Sequence, residues 1–132
     1  MNGKSPSSIF WEDEKCLAFM DIQPVNPGHV LVVPKVHVAY WKDMEEDLAG
    51  HLFQIGIKVD KALRMADLRC EGVNFFAADG EAAFQEVFHA YLHVFPRYRG
   101  DGFRLKFSPQ YAILPPRTEL DRLAKSIKSE IR

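Results

Sequence analysis

A chain of 132 residues that is 47% hydrophobic and 12% aromatic can close one core but hardly two, so a single domain over residues 1–132 is expected. With 17 basic residues against 18 acidic and a net charge of −1, it offers no broad basic surface for nonspecific binding to nucleic acid or membranes, and any phosphate recognition must be local. The two cysteines, Cys16 and Cys70, form no CxxC pair, no secretory apolar segment opens the chain, and the longest apolar run, residues 30–33, falls far short of the roughly 20 residues of a membrane helix. A soluble cytoplasmic protein with reduced thiols and no membrane partner is expected.

After a polar opening at residues 2–8, two short strands are predicted at residues 9–11 and 16–22, with Glu12, Asp13, Glu14 and Lys15 as the turn between them. Pro24, Pro27 and Gly28 interrupt regular structure before a third strand at residues 29–34, which stops at a proline. From about residue 44 to 67 the apolar period lengthens: Leu48, Leu52, Ile55, Val59, Ala62, Leu63 and Ala66 recur three or four apart, as on the buried stripe of one long helix. A strand resumes at residues 72–78, Asp79 and Gly80 mark a turn, and residues 87–98 read as a further strand. Order weakens past Gly100, Asp101 and Gly102. Pro115 and Pro116 then make a stiff joint before Thr118, the predicted N-cap of a last helix at about residues 118–131 with Leu120, Leu123, Ile127 and Ile131 on one stripe. Short connections between most strands favour an antiparallel sheet with helices on one face, an α+β domain.

The run at residues 87–98 carries the chemistry. Successive strand residues point to opposite faces, which places Phe88, Ala90, Leu92 and Val94 on one side and His89, Tyr91 and His93 on the other. Polar residues on the wet face of an antiparallel strand are ordinary. Two imidazoles flanking a phenol, however, suit a ligand that needs several converging donors, such as a phosphate or a metal.

The sequence His89-Ala90-Tyr91-Leu92-His93-Val94-Phe95-Pro96-Arg97 resembles the signature of the histidine triad (HIT) superfamily of nucleotide hydrolases and transferases, His-φ-His-φ-His-φ-φ with φ apolar. Upstream, the segment from Phe19 to Pro24 and the segment from Pro27 to His37 resemble the family's nucleoside-binding half, and Arg97 to Phe103 is similar to an ending in many bacterial members. The resemblance covers nearly the whole chain. It implies a five-stranded antiparallel sheet with one long helix and a C-terminal helix, pairing into a homodimer, and a purine nucleotide or nucleotide conjugate as ligand.

Position by position, the resemblance implies that His89 orients the nucleophile, that Tyr91 stands at the nucleophile position itself, and that His93 contacts the phosphate near the leaving group. It makes Asp21 the acceptor for ribose hydroxyls, Phe19, Ile22 and Leu31 the apolar slot for the base, and His29 and Gln85 phosphate-side groups. Tyr91 is the decisive departure. A neutral imidazole can attack phosphorus at neutral pH, whereas a phenol with a reference pKa of about 10 is protonated. Ala78 and Glu86 also depart, standing where relatives carry groups that bind the leaving portion or the phosphate. Many bacterial relatives join a Cys-x-x-Cys to histidines equivalent to His37 and His89 in a structural zinc site. That motif is absent here, and no metal or other cofactor is expected. Two readings follow: a hydrolase or transferase of the nucleoside-phosphoramidate or dinucleoside-polyphosphate type with impaired catalysis at the α-phosphate, or a non-catalytic purine-nucleotide-binding or partner-binding protein.

Overall fold

The computed structural model describes residues 8–132, so the polar opening lies outside the described residues apart from Ser8. The chain forms two compact units that divide after Gly102. The first contains β1 (Ile9–Glu12), β2 (Cys16–Met20), β3 (Val30–Pro34), α1 (Glu46–Met65), β4 (Gly72–Phe76) and β5 (Leu92–Arg97). Its strands make one five-stranded sheet in the order β1-β2-β3-β5-β4, antiparallel throughout. The second contains α2 (Arg117–Glu130).

The period-2 and period-3.6 patterns meet in the core. Cys16, Ala18, Val30, Val32, Leu92 and Val94 from one face of the sheet pack with Leu52, Ile55, Val59 and Leu63 of α1. Each fully buried aliphatic side chain contributes roughly 1.5–3 kcal/mol of transfer free energy. Gly56 lets the helix approach: a Cβ there would lie 3.0 Å from both Leu92 Cδ2 and Phe75 Cε2. Phe19, Leu31 and Val33 form a smaller buried cluster, with Ile9, Leu17 and Tyr91 packed against it. These residues alternate with the α1-facing ones, so the cluster lies on the other face of the sheet. That face carries the candidate site.

Several boundaries differ from expectation. The last strand of the sheet does not carry all three site residues: β5 begins at Leu92, and His89 and Tyr91 precede it. The cause is the loss of ladder partners. On one side β3 pairs with β5 only from Val32 opposite Leu92, and on the other β4 ends at Phe76 opposite His93. The Ala90 amide is satisfied instead by the Val38 carbonyl, at 2.7 Å. Ala90 nevertheless stays buried in the α1-side core, whereas Phe88, expected beside it, is 66% exposed. α1 covers residues 46–65 and leaves Ala62 and Ala66 exposed. α2 starts at Arg117 with Pro116, not Thr118, at the N-cap; a proline's fixed φ suits a helix start, and Thr118 lies one residue inside. Its apolar stripe is exposed, and Ile131 falls just past its end.

Candidate functional site

His93 lies near the start of β5, opposite Leu31 of β3 on one side and Phe76, the last residue of β4, on the other. Phe76 meets the imidazole edge-on, with ring centroids 5.7 Å apart. Tyr91 and His89 continue along the same face although they precede the strand: the centroids of Tyr91 and His93 are 6.4 Å apart and those of His89 and Tyr91 5.1 Å. The alternation in the sequence thus yields a contiguous row of rings, held without a continuous ladder.

Behind His93 lies His29, only 4% exposed. His29 Nε2 is 3.0 Å from His93 Nδ1 and 3.5 Å from Asp21 Oδ2. Its other nitrogen, Nδ1, accepts the Val25 amide at 3.0 Å. An accepting Nδ1 puts the ring proton of neutral His29 on Nε2, where it is donated to His93 Nδ1. Burial holds His29 down at a pKa of about 4, against the opposing pull of Asp21 and with help from His93. His29, expected on the phosphate side, is buried and bonded to His93.

Asp21 closes a turn: Oδ1 accepts the Gln23 amide at 2.9 Å, and the Asp21 amide bonds the His29 carbonyl at 2.9 Å. Phe19 and Leu31 are buried beneath this face, while Ile22 is 67% exposed beside the turn. Gln85 is spent on the backbone, with Oε1 accepting the Gly80 amide at 2.8 Å and Nε2 donating to the Ala39 carbonyl. It pins the loop ahead of His89. The next residue back, Phe84, adopts a left-handed backbone (φ 73°) that non-glycine residues rarely take. Tyr91 makes no hydrogen bond to a base among the described residues, and burial raises its pKa. His89 pairs Nδ1 with His37 Nδ1 at 3.2 Å, and its Nε2 is buried without a partner at hydrogen-bonding geometry. Burial lowers its pKa, with the Pro34 carbonyl, outside that geometry, acting the other way and His37 adding to the lowering.

Among the described residues, two clusters and one pair bring metal-ligating atoms together. Asp21, His29 and His93 converge, but a metal on His29 Nε2 would force the proton onto Nδ1, donor against the Val25 donor. Asp13, Cys16 and His51 also converge. There the Asp13 oxygens already accept from Trp11 Nε1, His51 Nε2 and the Lys15 and Cys16 amides, and burial and Asp13 push the Cys16 thiol up to about 12. The His37–His89 pair has the spacing of two corners of a tetrahedral ion. Among the described residues no third ligand joins it.

Sequence reading missed three contributors. The alternating pattern predicts Phe76 in a strand but carries no sign of the site, and only the β4–β5 register places it on His93. Asn26 and Asp101 are joined across 75 positions by a bond of 2.8 Å, a pairing with no local signal.

Residues 2–100 match the HIT domain family. The fold is similar to the crystal structure of a HIT family member from Bacillus subtilis, with a TM-score of 0.84 and 35% identity over 98% of this chain and 92% of that one. It is also similar to a zinc-bound histidine triad family protein from Mycobacterium smegmatis, with a TM-score of 0.71 and 34% identity over 96% and 90% of the two chains. A histidine triad nucleotide-binding protein from Candida albicans gives a TM-score of 0.81 at 28% identity, covering 97% of this chain and 90% of that one. A matched segment spanning most of the chain, a five-stranded sheet in the same fold and a triad signature lying on one face of it lead to one conclusion: the chain belongs to the HIT family.

Proposed function

We propose that this chain is a HIT-family nucleotide-binding protein of the nucleoside-phosphoramidate or dinucleoside-polyphosphate hydrolase type, addressed to the α-phosphate, with turnover impaired by Tyr91. The observation that carries the reading is the state of that side chain. Burial raises the phenol's pKa, and no base among the described residues takes its proton. A phenol is already protonated at neutral pH, and burial holds Tyr91 further toward that form. A nucleophile needs an adjacent base or a depressed pKa, and Tyr91 has neither. His93 does not replace it, because its Nδ1 is occupied by His29 and its Nε2 then carries the proton. What survives is an imidazole donor of the kind that suits an anion, which supports binding more than chemistry.

The likeness to the nucleotide-binding protein from Candida albicans supports a purine nucleotide or conjugate as ligand. A homodimer in the cytoplasm, without a resident zinc, belongs to the same reading. The test is a pair of assays on the chain and its Tyr91→His variant: hydrolysis of an adenosine phosphoramidate, and AMP binding. The reading expects AMP binding by both, with turnover by the variant at least ~100-fold above the parent. Equal and substantial turnover by the two would overturn the claim that Tyr91 impairs catalysis. Absence of AMP binding by both would overturn the ligand.

A further inference from the structure

We propose that Asn26 is a positioning residue that acts through the Val25 amide and His29 to fix His93 in the tautomer protonated on Nε2, making His93 a permanent donor toward an anionic ligand. The inference rests on the nucleotide-site reading only for what that donor meets; the tautomer itself follows from the hydrogen bonds.

The chain of contacts begins at Asp101, whose side chain is 2% exposed. Arg97 grips it with Nε to Oδ2 at 2.6 Å and Nη2 to Oδ1 at 3.0 Å. Asn26, 4% exposed, donates Nδ2 both to Asp101 Oδ2 at 2.8 Å and to the Pro96 carbonyl at 2.9 Å. Both partners are acceptors, so the amide has one orientation and its two hydrogens are committed. The Asn26 carbonyl accepts the His29 amide at 3.1 Å. The short loop that bears Val25 is thereby fastened to the end of β5, and its amide is held 3.0 Å from His29 Nδ1.

From there the protons have one consistent arrangement. Val25 donates to His29 Nδ1, His29 Nε2 donates to His93 Nδ1, and the His93 proton resides on Nε2. Reversing it would set the Val25 amide against an Nδ1–H donor and leave a buried amide unsatisfied, which skews the two forms by at least ~10-fold. Asp21 Oδ2 lies 3.5 Å from His29 Nε2, and it too favours a proton there. Burial that keeps His29 uncharged prevents the alternative in which both of its nitrogens donate.

The test reads imidazole tautomers by ¹⁵N–¹H correlation spectra of the full chain near pH 7.5. The parent is expected to show His93 with Nδ1 as acceptor and Nε2 protonated. His29→Phe removes the donor and should give a mixture of His93 tautomers. His29→Gln can accept from Val25 and donate to His93, and should restore the single form. Asn26→Ala frees the loop and should shift His29 and His93 together toward mixed forms. A parent His93 protonated on Nδ1, or a His93 signal unmoved by His29→Phe, overturns the relay; a signal unmoved by Asn26→Ala overturns the part assigned to Asn26. The parent spectrum decides even where a variant fails to fold. An AMP titration of the same sample separates the two proposals: the predicted tautomer without AMP binding defeats the nucleotide reading and leaves the relay standing.

Discussion

Replacing Gly28 by alanine should destabilise the protein by about 2–5 kcal/mol through two separable effects. Gly28 has φ +103°, and a Cβ there would lie 3.0 Å from Leu68 Cδ2, 3.2 Å from Pro96 Cγ and 3.4 Å from Leu63 Cδ2. The backbone conformation alone costs an L-residue on the order of 1–2 kcal/mol. The leucine tips can swing, but Pro96 is fully buried and held in β5, so relief must come from moving the loop, an overpacking cost of about 1–3 kcal/mol. That loop leads directly into His29, so Gly28→Ala should also disturb the His29–His93 bond. Gly50 is the control: it lies in α1, exposed, with nothing within 4 Å of an added Cβ. Gly50→Ala should stabilise by about 0.5–1 kcal/mol. Urea titrations of the parent and both variants measure the two values. A Gly28→Ala variant within about 1 kcal/mol of the parent, or a Gly50→Ala variant less stable than the parent, would refute this account of the backbone and its packing.

Other consequences can be measured on the same material. His29 has a folded pKa of about 4, held down by burial, against an unfolded value near 6.5. The unfolded chain binds a proton that the folded ring refuses, so stability is full above about pH 6.5 and falls as pH drops toward 4, by up to roughly 3 kcal/mol from this group. His89 is shifted in the same direction by burial. Urea midpoints that do not fall between pH 7.5 and 4.5, or a fall left undiminished by His29→Phe, would contradict this. Cys16, fully buried with its thiol pushed up to about 12, should resist alkylation in the native state at pH 8, where its thiolate fraction is about 10⁻⁴. Both thiols should react once urea unfolds the chain; native labelling of Cys16 at the rate of an ordinary thiol would refute the assignment. Asp13→Ala strips the partner from Trp11, His51 and two backbone amides, and should cost about 2–4 kcal/mol by thermal or urea denaturation. A loss below 1 kcal/mol would show that these bonds are replaced by water.

The fold was legible where one face of an element is buried. The stripe from Leu52 to Leu63 predicted α1, and the alternation through Ala90, Leu92 and Val94 predicted which side chains enter the core. Element ends were less legible, because they depend on partners distant in sequence. His89 and Tyr91 have the alternation of a strand, but pairing with β3 stops at Val32 opposite Leu92, and β4 ends at Phe76 opposite His93. Phe88 fits the apolar period and yet is exposed, since the turn before His89 carries it away from the core. The site was legible as residue types more than as roles. His29 and Gln85 are placed near the expected face, but their polar atoms are committed to His93, Val25, Gly80 and Ala39, contacts that periodicity cannot disclose. The Asn26–Asp101–Arg97 cluster left no trace in local pattern because it joins a proline-rich loop to the chain just past β5.

The central claim, a nucleotide site on the sheet face that bears His93, is tested most directly by titrating AMP into the ¹⁵N-labelled protein, with adenosine as the comparison. Saturable shifts of the His93, Tyr91 and Phe76 signals with AMP, and affinity for adenosine at least ~10-fold weaker through loss of the charged phosphate contact, are the predicted result. No saturable binding of AMP, or shifts confined to residues away from that face, would contradict it.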